Sequence, residues 1–497
     1  MSKINRIWPV ALGAGLATIL MVGCGGNSGG SSLVTPPSNS QGTLVTFGGD
    51  APICDVESFE VTITSASLVP AGGGSPVSLV SSTQPVTVDF ARLVDFATIL
   101  NTASVDAGKY SQLQMTLSNP EMTVLNTATT PPSPVAVTTN LTTQNFTIDI
   151  NPALTITSNS GSALTMDFNL RKSVQTDANG QVTGTVDPQF SLTPASISGN
   201  GQLGEADDLY GVVQSVSTTS SNSNFTGSFT LQMQGGVGPI LTIQVNGDTD
   251  FEGDNVTDLA SLPTMSFVEV DAIVDTSGNI IADEVDVEDQ VAASTQRSAF
   301  LGKIIGVTRD GNGNATQFNL LVWEEVPDLS GEVPLRSSLN VALQSETRYR
   351  VRRHHMNPDN FAYGPQTLGV AQVVGAYGIV QAGSPPSLNA NSVYLRPRTV
   401  LGNFNTLLAA GSDGKTGGFT LTPCGDLFKA QPVTVLTFAG TNFLGVSDLV
   451  GLGPQPTLST KGLLFYQETN GPGSQSPATW TAPTWTLEAK QVHQLPQ

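Results

Sequence analysis

The chain has 497 residues, too many for one ordinary domain, and ~3–4 modules are expected. A hydrophobic content of 39% excludes a disordered polymer, and frequent Gly and Pro among abundant Thr and Val point to many short strands and turns. A net charge of −20 disfavours nucleic acid and anionic lipid surfaces, which both reward basic patches.

The first 23 residues read as a targeting segment. Lys3 and Arg6 precede an apolar run, Ile7 to Val22, that is too short to span a ~30 Å hydrocarbon core and suits a cleaved signal peptide. The run ends in Leu20-Met21-Val22-Gly23-Cys24. That segment resembles the bacterial lipobox, in which a small residue precedes a cysteine that becomes lipidated, although Met21 stands where leucine is usual. The resemblance implies a membrane partner held through lipid on Cys24. It also implies an outer-membrane destination, because Gly25 replaces the aspartate that favours inner-membrane retention. Residues 24–42, rich in Gly, Ser and Pro, have the composition of a flexible tether.

Residues 43–197 carry apolar side chains at every second position, as a half-buried sheet requires. The stripes are Phe59/Val61/Ile63, Leu113/Met115/Leu117, Phe146/Ile148/Ile150 and Leu164/Met166/Phe168. The run Phe90 to Leu100 reads as a short helix or an irregular crossover. A β-sandwich satisfies these stripes. Gly49-Asp50-Ala51-Pro52, Ala107-Gly108-Lys109-Tyr110 and Asp167-Phe168-Asn169-Leu170-Arg171-Lys172-Ser173 resemble an uncharacterised bacterial domain family found at the N-terminus of envelope lipoproteins. The resemblance implies architecture and brings no activity with it.

The remainder holds a weak internal repeat in three copies, 203–290, 298–398 and 399–495. Each opens on a glycine (Gly211, Gly302, Gly402) and reaches a threonine (Thr249, Thr347, Thr441) 38, 45 and 39 residues later. Each offers five strand-like segments, enough for a small closed barrel without exposed edges. The pattern resembles a family of small repeated β-modules with an OB-like barrel. Tandem barrels of this kind are expected to extend reach without creating one deep cleft.

Chemistry is sparse. With only His354, His355 and His493, and with no Gly-x-Ser-x-Gly or His-Glu-x-x-His, no catalytic centre is expected. Arg348, Arg350, Arg352, Arg353 and His354 form a basic cluster in an acidic chain, readable as an anion site or as a solvated strand end. Asp248, Asp250 and Asp254 start like a calcium loop, but Leu259 stands where the bidentate glutamate belongs. The alternative for them is a solvated turn. Asp283, Glu284, Asp286, Glu288 and Asp289 read as one exposed strand face. Tyr466, Trp480 and Trp485 read as a carbohydrate platform or, preferably, as barrel filling. Cys54 and Cys424 are open to pairing or to standing as separate thiols.

The resulting expectation is an all-β lipoprotein, one N-terminal sandwich followed by three barrel-like modules. Its role is non-catalytic, structural or binding, toward a surface polymer or protein, with no cofactor and no nucleic acid. A carbohydrate-binding accessory and a carboxylate hydrolase are the alternatives.

Overall fold

The structure, a computed structural model, describes residues 41–50, 53–54, 56–93, 98–233, 239–290, 297–326, 333–351, 362–428, 431–453, 456–467 and 484–495. The N-terminal module is a sandwich. One sheet orders Phe190–Pro194, Gly161–Phe168, Gln41–Asp50 and Thr98–Asp106. The other is built on the long antiparallel pair Val56–Pro70 and Gly108–Asn126. The alternating stripes meet between the sheets: Phe59, Val61, Leu113, Leu117, Leu164 and Phe168 are all buried in one cluster. The segment after Asp89 forms a single 3-10 turn, Phe90–Arg92, with Phe90 packed against Phe168 at 4.8 Å.

Three five-stranded barrels follow. The first uses Gln202–Ser217, Gly227–Met233, Ile240–Val245, Ser266–Asp275 and Ile280–Gln290. The second uses Arg297–Arg309, Ala315–Val326, Ser338–Val351, Val373–Gln381 and Ser387–Arg396. The third uses Arg398–Ala410, Gly417–Pro423, Val433–Thr437, Thr457–Gln467 and Thr484–Gln494. In each, pairing runs through the first, second, third, fifth and fourth strands and returns to the first. The third and fifth strands are parallel every time, as in Ile243↔Ile280, Asn340↔Ser387 and Val433↔Trp485. This shared circuit makes the three modules OB-like barrels.

The repeated residues now have physical reasons. A Cβ on Gly211, Gly302 or Gly402 would stand 2.2, 2.1 or 2.3 Å from the carbonyl oxygen of Gln232, Leu321 or Thr422 on the second strand. Only glycine lets the two backbones approach that closely. The repeated threonine ties the third-strand segment to the fifth. Thr249, Thr347 and Thr441 donate from Oγ1 to the carbonyls of Ala282, Ala390 and Ala489 at 2.8, 2.7 and 2.8 Å.

The modules do not form an extended array. Val45, Phe47, Ile99 and Ala163, on the outer face of the sandwich's smaller sheet, share a core with the first barrel. Tyr210, Phe267, Leu301, Tyr377 and Tyr394 form a second apolar seam between the first and second barrels. Leu463 and Phe465 of the third barrel bury into the core of the second. Finally, Cys54 of the sandwich is disulfide-bonded to Cys424 of the third barrel across a separation of 370 residues, with Cα atoms 5.8 Å apart. The expectation of reach without a cleft is therefore corrected. Burying the outer faces of small barrels against one another folds the string back on itself and encloses space where the modules meet.

Candidate functional site: a charged cavity between the modules

That space is a cavity of about 800 Å³ lined from all four modules. Glu57, Asp89 and Arg92 come from the sandwich, Asp207, Asp208 and Tyr210 from the first barrel, Lys303, Trp323, Glu324 and Arg396 from the second, and Arg398 and Phe428 from the third. Its size lies within the ~300–1,000 Å³ typical of small-molecule sites.

The backbone explains how charged side chains reach it. Gln202–Ser217 is bulged between Ala206 and Leu209, and Asp208 takes a left-handed conformation there, φ 57°. Its amide donates to Asp271 Oδ1 at 2.9 Å, which holds the bulge and turns the Asp207-Asp208 pair toward the third barrel. Lys461 Nζ meets Asp207 Oδ2 at 2.9 Å and Asp208 Oδ2 at 3.6 Å. Burial, with the hydrogen bond that the protonated Asp208 donates to the neighbouring Glu269 and the charge of that carboxylate, pushes the Asp208 carboxyl up to about 7.

Most cations at the cavity are matched to acids. Lys303 pairs with Glu57, and Arg92 pairs with Glu324 at 3.2 Å. Both cations lie 5.5 Å from the Trp323 ring centroid. Asp89 serves the backbone, accepting from the Phe59 amide at 2.8 Å and the Ser58 hydroxyl at 2.7 Å. Arg396 is buried over Tyr210, donates through Nη2 to Glu288 at 2.8 Å and is ion-paired with Glu269 at 2.7 Å. Burial alone would lower its pKa, but these two carboxylates outweigh burial and raise it.

Arg398 differs. Pro397 separates it from Arg396 at the joint between the second and third barrels. Its guanidinium donates through Nη1 to the Ala371 carbonyl and through Nε to the Thr399 carbonyl at 3.2 Å, and it lies 5.5 Å from the Phe428 ring centroid. It forms no ion pair with a carboxylate among the described residues. Burial accordingly lowers its pKa to about 10, and the charge of Glu57, already bonded to Lys303, only partly opposes this.

The residues singled out from sequence lie elsewhere. Arg348 and Arg350 converge on Asp254 Oδ2 at 2.7 and 2.6 Å. This contact gives two of the five basic residues one carboxylate to share, and it engages one of the three acids of the calcium-loop sequence. Asp248 sits in a turn closed by Asn246, Asp250 starts the short strand Asp250–Gly253, and no metal-holding group of His, Cys, Asp or Glu occurs among the described residues. Trp485 is only 6% exposed, donates to the Val370 carbonyl at 3.1 Å and packs edge-on to Tyr466 at 5.5 Å. It fills the third barrel's core and offers no open platform. Cys24, Arg352, Arg353, His354 and Trp480 lie outside the described residues.

The acidic run is the clearest correction. Glu284, Asp286 and Glu288 are 0, 6 and 3% exposed, while Val285 and Val287 on the opposite face are buried as well. Alternation sorted the two faces correctly, but the second barrel covers the one assigned to solvent, with Tyr394 donating to the Glu288 carbonyl at 2.8 Å. The cavity itself went unseen because its charges are single residues hundreds of positions apart. Arg396-Pro397-Arg398 at a repeat boundary was the one local signal, in a chain with only 20 Lys and Arg.

No curated protein matches the chain. One solved structure, described as "drosophila Unr CSD456", matches at 9% identity over 59% of this chain and 98% of its own, with a TM-score of 0.14, too low to bear on the fold. Residues 41–183, the greater part of the N-terminal sandwich, match the family described as "Domain of unknown function (DUF4382)".

Proposed function

We propose that this chain is an exported, lipid-anchored envelope protein with a non-catalytic binding role, its ligand taken in the cavity between the modules. The observation that carries the location is the Cys54–Cys424 disulfide. Such bonds persist in oxidising compartments and are rare in the cytosol. The segment ending in Cys24 supplies the anchor, since two or more acyl chains hold a protein where one gives marginal binding. The binding role is supported by the cavity's size and by how its acids are used: Glu57, Glu324 and Asp207 are paired with cations and Asp89 with the backbone. Acids committed in this way hold modules in place, and a cavity formed between docked modules suits a ligand better than a long flexible array would.

Intact-mass measurement and membrane fractionation of the wild type beside Cys24→Ser test the location. The expected result is loss of the first 23 residues with added acyl mass in the wild type, and a soluble Cys24→Ser variant. A soluble, unacylated wild type would overturn the anchor.

A further inference from the structure

We propose that the cavity binds a small organic monocarboxylate with an apolar body, its carboxylate pairing with the Arg398 guanidinium and its body lying along Phe428, Leu427 and Leu401. This deepens the binding role proposed above and rests on it.

A buried charge ordinarily has a partner, because removing an ion from water is costly unless an opposite charge and hydrogen bonds replace the water. The other cations at the cavity obey this rule: Lys303 has Glu57, Arg92 has Glu324, and Arg396 has Glu269 and Glu288. Arg398, half-buried at the cavity wall, has two backbone carbonyls and a ring. Carbonyl oxygens and a π face stabilise a guanidinium without neutralising it, and Nη2 has no hydrogen-bond partner among the described residues. The position supplies a planar donor with one positive charge to spare, the geometry that suits a carboxylate.

The surroundings narrow the ligand further. Glu57, Asp89, Asp207, Asp208 and Glu324 all line the same cavity. One uncompensated guanidinium balances one negative charge, and a dianion such as a phosphate ester would bring a second charge into a space rich in carboxylates. The Phe428 ring lies 5.5 Å from the Arg398 guanidinium, and Leu401 and Leu427 add apolar surface to the same cavity. A volume of about 800 Å³ leaves room for a body much larger than the carboxyl group.

The test is calorimetric titration of the full chain with phenylacetate, 4-hydroxybenzoate and octanoate, each beside its neutral amide and beside inorganic phosphate. At least one carboxylate is expected to bind, with its amide and phosphate at least tenfold weaker. Arg398→Gln should lose at least tenfold in affinity for that carboxylate, and Arg398→Lys, which keeps the charge and loses the planar fork, should fall between. Thermal unfolding checks that both variants remain folded. Equal affinity for acid and amide, wild-type affinity in a folded Arg398→Gln, or no binding by any of the three carboxylates would each overturn the assignment. A wild type found soluble and unacylated would overturn the anchor and leave the titration unaffected, so the two failures are distinguishable.

Discussion

Arg396 and Arg398 stand two residues apart, on either side of Pro397, and face opposite electrostatic situations. Arg396 lies buried where the seam between the first and second barrels meets the cavity, and Glu269 and Glu288 hold its pKa up. Arg398 faces the cavity with carbonyls and a ring for company, and burial lowers its pKa to about 10. The contrast separates two uses of charge in one molecule, one buried and one half-buried. Paired charges orient the modules relative to one another, because a misdocked barrel would strand them without partners. Arg398 binds carbonyl oxygens and no carboxylate among the described residues, which is why the proposed ligand carboxylate is placed against it.

The largest effect expected from breaking the contrast is at Arg396. Arg396→Met leaves Glu269 and Glu288 buried without their cation, and denaturant unfolding should show a loss of about 3–5 kcal/mol. The same chemical change at Arg398, as Arg398→Met, removes a charge that has no acid to strand. Its stability should fall by less, about 1–2 kcal/mol, through loss of its two hydrogen bonds to carbonyl oxygens. Equal losses at both positions would erase the distinction between the seam and the cavity.

The disulfide sharpens the comparison from the other side, since Cys54 and Cys424 both line the cavity. Replacing both by serine should cost about 2–5 kcal/mol and weaken any ligand that depends on the sandwich closing against the third barrel. A smaller, pH-dependent effect is expected at Asp208, whose carboxyl titrates near 7 in the folded chain against 3.8 ordinarily. Between those values the folded state holds a proton that the unfolded state has released. Stability from this group is therefore fully present below about pH 4 and is lost as pH rises through 7, by on the order of 1 kcal/mol per pH unit. Asp208→Asn should flatten that slope, as unfolding at a series of pH values would reveal. The smallest effect belongs to Asp254→Asn, which releases the exposed Arg348 and Arg350. Surface pairs of this kind contribute below about 1 kcal/mol and fade with salt.

Much of the fold was legible in the sequence because its signals are local. Alternation placed Phe59, Leu113 and Leu164 on core faces, and spacing aligned Gly211, Gly302 and Gly402 before their shared close approach was visible. What alternation cannot report is what lies beyond a sheet. It separated Glu284, Asp286 and Glu288 from the valines between them, yet could not tell a face covered by another barrel from one covered by water. The candidate site was illegible for the same reason. Arg92, Asp208, Trp323 and Arg398 meet only after every outer face has found its partner, and no pattern along the chain encodes that docking.

The docking of the sandwich against the third barrel underlies both the cavity and the proposed location, and peptide mapping of the non-reduced protein tests it most directly. Fragments containing Cys54 and Cys424 should appear as one linked species that separates on reduction, with neither thiol alkylated in the native protein. Recovery of the two cysteines as separately alkylated thiols from protein exported and purified without reductant would contradict the account.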